Sequence, residues 1–180
     1  MNAESAVLSR LVSWAVPARA TDWDSLYEEQ LPRIYNYFRY RVGASDAEDL
    51  TSETFAKAWR GRDRYRRDLG AFTTWLYAIA RNVAIDHFRR HVPLESLDRA
   101  AHIAAPGNPE EDAVRASDAA RLAALLTSLG ERERELLALR YGAGLTNRTI
   151  AKLSGLSESN VGTILHRTIA DLRARWPEEG

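Results

Sequence analysis

The stretch NRTIAKLSGLSESNVGTILHRTIADLR, from Asn147 to Arg173, decides the fold. Ile150, Ala151 and Leu153 form an apolar stripe on a first short helix. Ser154-Gly155-Leu156-Ser157 breaks that period, and Gly155 can take the positive φ a sharp turn needs. Ser157 can then cap a second helix, its hydroxyl accepting a free backbone N–H. Val161, Leu165, Ile169, Leu172 and Trp176 recur at spacings of three and four, the buried face of that second helix. Its other face shows Gly162, Thr163, His166, Arg167 and Arg173. Two short helices about a tight turn, the second polar outside, is the pattern of a helix-turn-helix whose second helix enters the DNA major groove.

Working outward, the 180 residues allow one or two small domains, and aliphatic residues with Ala dominate over sparse Gly and Pro. This favours an all-α protein. There is no Cys, which excludes disulfides and thiolate metal sites. No apolar run reaches the length of a membrane span, and the N-terminus lacks the pattern of a signal peptide, so the expected location is cytoplasmic, with no membrane insertion. The formal net charge is zero, but its distribution is uneven. Eight Arg against three Asp between Arg60 and His91 leave +5, and two Arg against six acids between Val92 and Asp118 leave −4. A basic segment and an acidic one cancel each other.

Residues Met1 to Ala20 carry Val7, Leu8, Leu11, Val12 and Trp14 at helical spacing, ended by Pro17; they read as a frayed extension or as a docking helix. From Asp22 a helix presents Leu26, Leu31, Ile34, Tyr35, Phe38 and Val42, with a kink expected at Pro32 and an end at Gly43. Ser45-Asp46-Ala47-Glu48 has the signature of a capping box. The helix behind it buries Ala47, Leu50, Phe55, Ala58 and Trp59. Asp46, Asp49 and Glu53 form an acidic stripe on its outer face, suited to solvent or to a basic protein partner.

Arg60 to Ala71 reads as a basic loop, in which Arg offers phosphate contacts and Tyr65 a stacking surface for an unpaired base. Phe72 to His91 is a helix burying Trp75, Leu76, Ile79, Ala80, Val83 and Phe88. Thr73 and Thr74 lie near its start, where small hydroxyls reach bases or phosphates. His87 and His91 have a metal-compatible spacing but no third ligand, so they read as a surface pair. Val92 to Ser117, interrupted by Pro93, Pro106, Gly107 and Pro109, reads as an acidic linker. Beyond it Leu122, Leu125, Leu126 and Leu129 form one helical face, Gly130 breaks the helix, and Glu131 to Tyr141 forms another.

With these residues in view, Asp22 to Trp176 resembles a bacterial extracytoplasmic-function (ECF) RNA polymerase sigma factor. The resemblance is carried, in order, by LPRIYNYFRYRVG, DAEDLTSETFAKAW, FTTWLYAIARNVAIDHFRR, PLESLD, ERERELLALRYGAGLT, and IAKLSGLSESNV with LHRTIADLR. It implies two small helical domains, a sigma region 2 bundle and a sigma region 4 helix-turn-helix, joined by a flexible acidic linker. The implied division is an extension at 1–20, region 2 at 21–92, a linker at 93–117, region 4 at 118–176 and a tail at 177–180.

The resemblance also implies roles. Asp46, Asp49, Ser52 and Glu53 fall where the family meets the clamp helices of the largest polymerase subunit, with region 4 meeting the beta flap. Ser52 stands where the family often has Gln. Arg60, Arg62, Arg64, Tyr65, Arg66, Arg67, Asp68, Thr73, Thr74, Trp75, Arg81 and Asn82 fall in the part that recognises and opens the minus-ten element. The base-capturing loop would lie at about Arg66 to Gly70. Ser159, Asn160, Gly162, Thr163, His166 and Arg167 fall in the minus-thirty-five reader. Here the chain departs from the family, which often has a basic residue at the Gly162 position and Arg at the Ile164 position. A weak grip on the minus-thirty-five element is the expectation.

The partners so implied are core RNA polymerase, promoter DNA and an anti-sigma factor. No catalytic residue, metal or cofactor is expected: the chain has no Gly-rich phosphate loop, nucleophile motif or third metal ligand. The competing reading is a dimeric repressor or activator, which would use the helix-turn-helix but need neither the acidic stripe nor the Arg-rich loop.

Overall fold

The structure is a computed structural model; it describes residues 22–66, 71–90 and 109–176, the side chains of 109–116 excepted. The extension at 1–20, Arg67, Asp68, His91, most of the expected linker and the tail lie outside the described residues. Those described form α-helices with no strand.

Helix α1 spans Trp23–Arg41. Asp22 caps it: Ser25 donates from its backbone N–H at 3.2 Å and from its hydroxyl at 2.6 Å. These bonds, the hydroxyl's foremost, hold the Asp22 carboxyl below its ordinary value. The kink expected at Pro32 does not divide the helix, which runs through it. Pro32 and Glu28, whose carbonyl loses its i+4 donor, are both exposed, so water can replace the missing bond. Buried Ile34, Tyr37 and Phe38 keep the later turns in register.

Helix α2 spans Ala44–Arg60. The capping box is not formed. Gly43, at φ 104°, reverses the chain directly, so the helix begins before Ser45. The Ser45 hydroxyl instead donates to Asp46 at 3.0 Å. Ala47, Leu50 and Ala58 are buried as expected, while Trp59 is 54% exposed. Thr51 and Thr54 join the buried face, their hydroxyls donating to the carbonyls of Ala47 and Leu50, so neither polar group is buried unsatisfied.

A 3-10 turn at Arg62–Arg64 leads towards α3, Phe72–Arg90. Its buried face carries Leu76, Ala80 and Val83, together with Tyr77, Ala84 and His87. His87 is thus not a surface residue: its ring packs on Phe88 and its Nε2 lies 3.9 Å from Asp46.

Helix α4 spans Pro109–Thr127 and begins inside the stretch expected to be linker. Pro109 opens this helix instead of interrupting it: at the first helical position its missing N–H would have had no partner anyway. Of the expected Leu face only Leu126 is buried, and Leu122 is 36% exposed. Helix α5, Glu131–Leu137, continues into a wider π turn, Ala138–Gly142, so the single helix expected to Tyr141 changes pitch. Arg134 donates at 2.9 Å to the Leu126 carbonyl in the last turn of α4 and at 3.0 Å to the Leu129 carbonyl just beyond it, closing the corner.

Helices α6, Asn147–Ser154, and α7, Glu158–Arg175, follow. The three-helix unit α1–α3 and the unit α4–α7 pack against each other: α1 lies on the π turn and α3 against α6. Gly142 makes this approach possible, since a Cβ there would stand 2.8 Å from the Asn36 carbonyl oxygen and 3.0 Å from the Tyr37 Cα.

Candidate nucleic-acid and polymerase interface

The helix-turn-helix is built by short-range chemistry. The Thr146 hydroxyl accepts the Thr149 N–H at 3.2 Å and caps α6. Gly155, at φ 72°, ends it in the left-handed conformation. The Ser157 hydroxyl accepts the Asn160 N–H at 3.2 Å and caps α7. Ile150, Leu153, Val161 and Leu165 close the space between the two helices. Thr168 is also buried, its hydroxyl donating to Ile164 at 2.9 Å.

This leaves one polar face on α7. Ser159, Asn160, Thr163, His166 and Arg167 are all exposed on it. Thr163 donates to the Ser159 carbonyl at 3.0 Å, which orients its hydroxyl. Gly162 is half-buried, and a Cβ there would meet only the Asn147 side-chain nitrogen at 3.5 Å, an ordinary contact. A larger residue can therefore start from this position without strain.

The basic turn is held by aromatic rings. Trp23 sits edge-on to Trp59, Phe72 and Trp75, with centroids 6.1, 5.4 and 6.1 Å away. Tyr65 packs on Phe72 and Trp75 at 5.5 and 5.2 Å. Its ring is thus partly committed within the chain. Arg62 lies over the Trp59 ring at 4.3 Å and donates to the Trp59 carbonyl at 2.8 Å. Arg60 donates to the Ala56 carbonyl at 3.1 Å. Both arginines keep remaining donors for another acceptor. Arg64 and Arg66 are exposed, and Thr73, Thr74 and Trp75 are half-buried at the start of α3.

Further along α3 the two candidates diverge. Asn82 is exposed, but Arg81 is half-buried and forks onto Glu135, with Nε to Oε1 at 2.6 Å and Nη2 to Oε2 at 3.3 Å. Its Nη1 donates to the Leu153 carbonyl. Burial opposes the Arg81 charge, but Glu135 outweighs it, so its pKa is raised.

The acidic stripe on α2 is mixed in the same way. Asp49 and Ser52 are exposed. Glu53 pairs with Lys57 at 2.9 Å and Arg90 at 3.5 Å, and the Lys57 hydrogen bond holds its carboxyl below the ordinary range. Asp46 lies beside His87. Among the described residues no group of His and acids is arranged to hold a metal.

Sequence reasoning did not single out Arg41, Glu131, Glu135 or Gly142, although all four stand where the units meet. Arg41 is 2% exposed, lies over the Phe88 ring at 4.5 Å and donates to Glu131 at 2.9 Å. The alternating ERERE run from Glu131 to Glu135 was the only available signal; its charges are not all solvated.

The fold is that of a two-unit, all-α protein ending in a capped helix-turn-helix. The family models for Sigma-70 region 2 and Sigma-70 region 4 match residues 26–92 and 125–174. The ECF RNA polymerase sigma factor BldN of Streptomyces coelicolor is 32% identical over 99% of this chain and 69% of its own length. The ECF sigma factor SigL of Mycobacterium tuberculosis H37Rv is 30% identical over 94% of this chain and 97% of its own. Among solved structures, CnrH bound to the cytosolic domain of CnrY is similar at a TM-score of 0.58, with 25% identity, over 83% of this chain and 82% of that one. RpoE of Bartonella quintana, solved with the anti-sigma factor NepR, matches in fold at a TM-score of 0.66, with 21% identity, over 86% of this chain and 96% of that one. The chain belongs to the ECF RNA polymerase sigma factors.

Proposed function

We propose that this chain acts as an alternative sigma factor, divided as region 2 over residues 21–92 and region 4 over 118–176. In this reading Asp46, Asp49, Ser52 and Glu53 offer α2 to the clamp helices of core polymerase, and region 4 meets the beta flap. The basic turn, with Arg60, Arg62, Arg64 and Arg66, takes the minus-ten element as it opens. Thr73 and Thr74 lie beside it, with Arg81 and Asn82 further along α3. The exposed face of α7 reads the minus-thirty-five element. An anti-sigma factor controls it; a partner of that kind is bound to RpoE of Bartonella quintana, which shares this fold. It works in the cytoplasm and catalyses no reaction itself; among the described residues no helix is long and apolar enough to cross a membrane.

The observation that carries this reading is the capped helix-turn-helix. Its polar face is free of the protein's own packing, and it follows a unit with an acidic helix and an Arg-rich turn. A dimeric repressor needs only the first of these. The test is binding to core polymerase followed by run-off transcription from a promoter library. Transcripts from a defined subset support the reading. Specific duplex binding by the chain alone, with no affinity for core, would replace it with the repressor reading. Asp49→Arg should lower core binding by about tenfold or more, because it puts a like charge against a basic partner surface. Duplex binding by the isolated chain should stay unchanged.

A further inference from the structure

An aromatic groove opens beside the start of α1. Trp23, Asp24, Tyr27, Phe55, Trp59 and Phe72 line it, around a volume of about 230 Å³. Tyr27 stands edge-on to Phe55 at 4.6 Å and Trp23 edge-on to Trp59 at 6.1 Å, so the walls hold one another in place. Even so, Tyr27 is 46% exposed, and Trp59 is 54% exposed although Arg62 lies over its ring. Exposed apolar side chains scattered singly need no explanation, but two beside one concave apolar lining mark a binding surface. The volume falls short of the roughly 300 Å³ at which small-molecule pockets begin, and suits one anchoring side chain of a peptide. Asp24 supplies the charge in the lining, and Glu28 follows it one turn later on α1, also exposed.

The chain carries a segment of matching chemistry. In Met1 to Ala20, Val7, Leu11 and Trp14 stand at i, i+4 and i+7, one stripe of a helix, and Ser5, Ser9 and Ser13 fall off that stripe. Arg10 and Arg19 against Glu4 leave the segment a charge of 2 − 1 = +1, opposite to Asp24 and Glu28. It also joins the described fold at the mouth of the groove. Asp22, the cap of α1, is extended, so the chain before it leaves the helix axis, and the next residue, Trp23, is already a wall of the groove. Trp14 stands 23 − 14 = 9 positions earlier, a tether of at most about 30 Å. A tether this short keeps the stripe at high effective concentration over the groove.

We infer that the groove is the seat of the chain's own N-terminal segment. The Trp14 indole is the anchor, held by Tyr27 and Trp59, and Leu11 and Val7 cover the rim. The segment's arginines face Asp24 and Glu28. The seat belongs to the α1–α3 unit and is independent of the function proposed above.

The test is amide hydrogen exchange, read by mass spectrometry, on the full-length protein and on a synthetic peptide of residues 1–20. Amides of residues 7–16 should exchange about tenfold or more slowly in the protein than in the peptide. Trp14→Ala and Tyr27→Ala change one side of the contact each. Either should bring these amides back to within about twofold of the peptide's rate, with helix content by circular dichroism retained. The emptied groove should then accept the segment in trans. A fluorescent 1–20 peptide should bind full-length Trp14→Ala about tenfold or more tightly than wild type, whose seat is filled. Adding Tyr27→Ala to that variant should abolish the binding. Peptide-like exchange in the wild type overturns the inference and leaves the groove to a separate protein. Protection that survives Tyr27→Ala puts the segment elsewhere and overturns it as well. Protection that grows with protein concentration, together with a dimer in sedimentation, places the segment in the groove of a second copy and overturns the intramolecular seat.

Discussion

The polar face of α7 and the polar face of α3 carry similar residues in opposite circumstances. On α7, Ser159, Asn160, Thr163, His166 and Arg167 meet solvent. On α3, Asn82 meets solvent but Arg81 is claimed by Glu135 and Leu153. The first face is made by local chemistry: a Ser cap, a left-handed Gly and a run of apolar residues behind it. The second is made by what packs on it from the other half of the chain. An arginine's value as a DNA ligand therefore depends on whether the fold leaves its fork unsatisfied.

The largest test of this contrast is whether the halves are energetically one. Ile150 is fully buried between α6 and its neighbours. Ile150→Ala should cost about 2–5 kcal/mol, the transfer and cavity terms of a large-to-small core change. If the units share a cooperative fold, that loss appears equally in helix-turn-helix signals and in the fluorescence of Trp23, Trp59 and Trp75. Two separate transitions in denaturant would show instead that the boundary between the units is weak.

A smaller effect sharpens the α7 side. Gly162→Arg adds a cation to a face that has room for it, so promoter affinity should rise and its dependence on log salt should steepen by about one unit. Gly162→Ala is the control: it should stabilise the chain by roughly 1 kcal/mol through helix propensity alone and leave the salt slope unchanged. Equal slopes in the Arg and Ala variants would mean that this position does not approach phosphate.

Ser157→Ala comes next, removing the α7 cap at a cost of about 1 kcal/mol. Thermal melts would register it, and Ser157→Asn, which keeps a capping acceptor, should restore most of the loss.

The smallest effect belongs to the acidic stripe. The Glu53 carboxyl is depressed below its ordinary 4.5, chiefly by the Lys57 hydrogen bond. A depressed carboxylate stabilises the fold at pH above its unfolded value and loses that contribution as pH falls through the folded value. The side chain is 31% exposed and its partner Lys57 35%, so solvent screens the pair and the contribution is small. Comparing wild type with Glu53→Gln by acid titration should show converging stabilities at low pH and a gap favouring wild type near neutrality.

Legibility followed range. Asn147 to Arg173 was readable almost residue by residue, because its caps and turn act within four residues. Signals that depend on their surroundings were misread. Pro32 reads as a break, but an exposed carbonyl and a buried Tyr37–Phe38 face let α1 pass through it. Pro109 reads as linker, but at a helix start its missing donor costs nothing. Ser45 reads as a cap, but Gly43 starts the helix before it. His87 has the spacing of a surface pair, yet it is buried, with Asp46 of α2 beside its Nε2. Arg81 is the clearest case: its acceptors lie 54 and 72 positions away, and such pairs leave no period in the chain.

By itself, then, the sequence determined the all-α class, the helix-turn-helix with its caps, the order of the family's segments and the uneven charge, since each arises from neighbours a turn or two apart. Only the tertiary structure decided which charges remain available to a partner and how closely the two units sit. Those outcomes are set by long-range packing, where Gly142 lets two backbones meet and Glu135 satisfies an arginine that the local pattern leaves free.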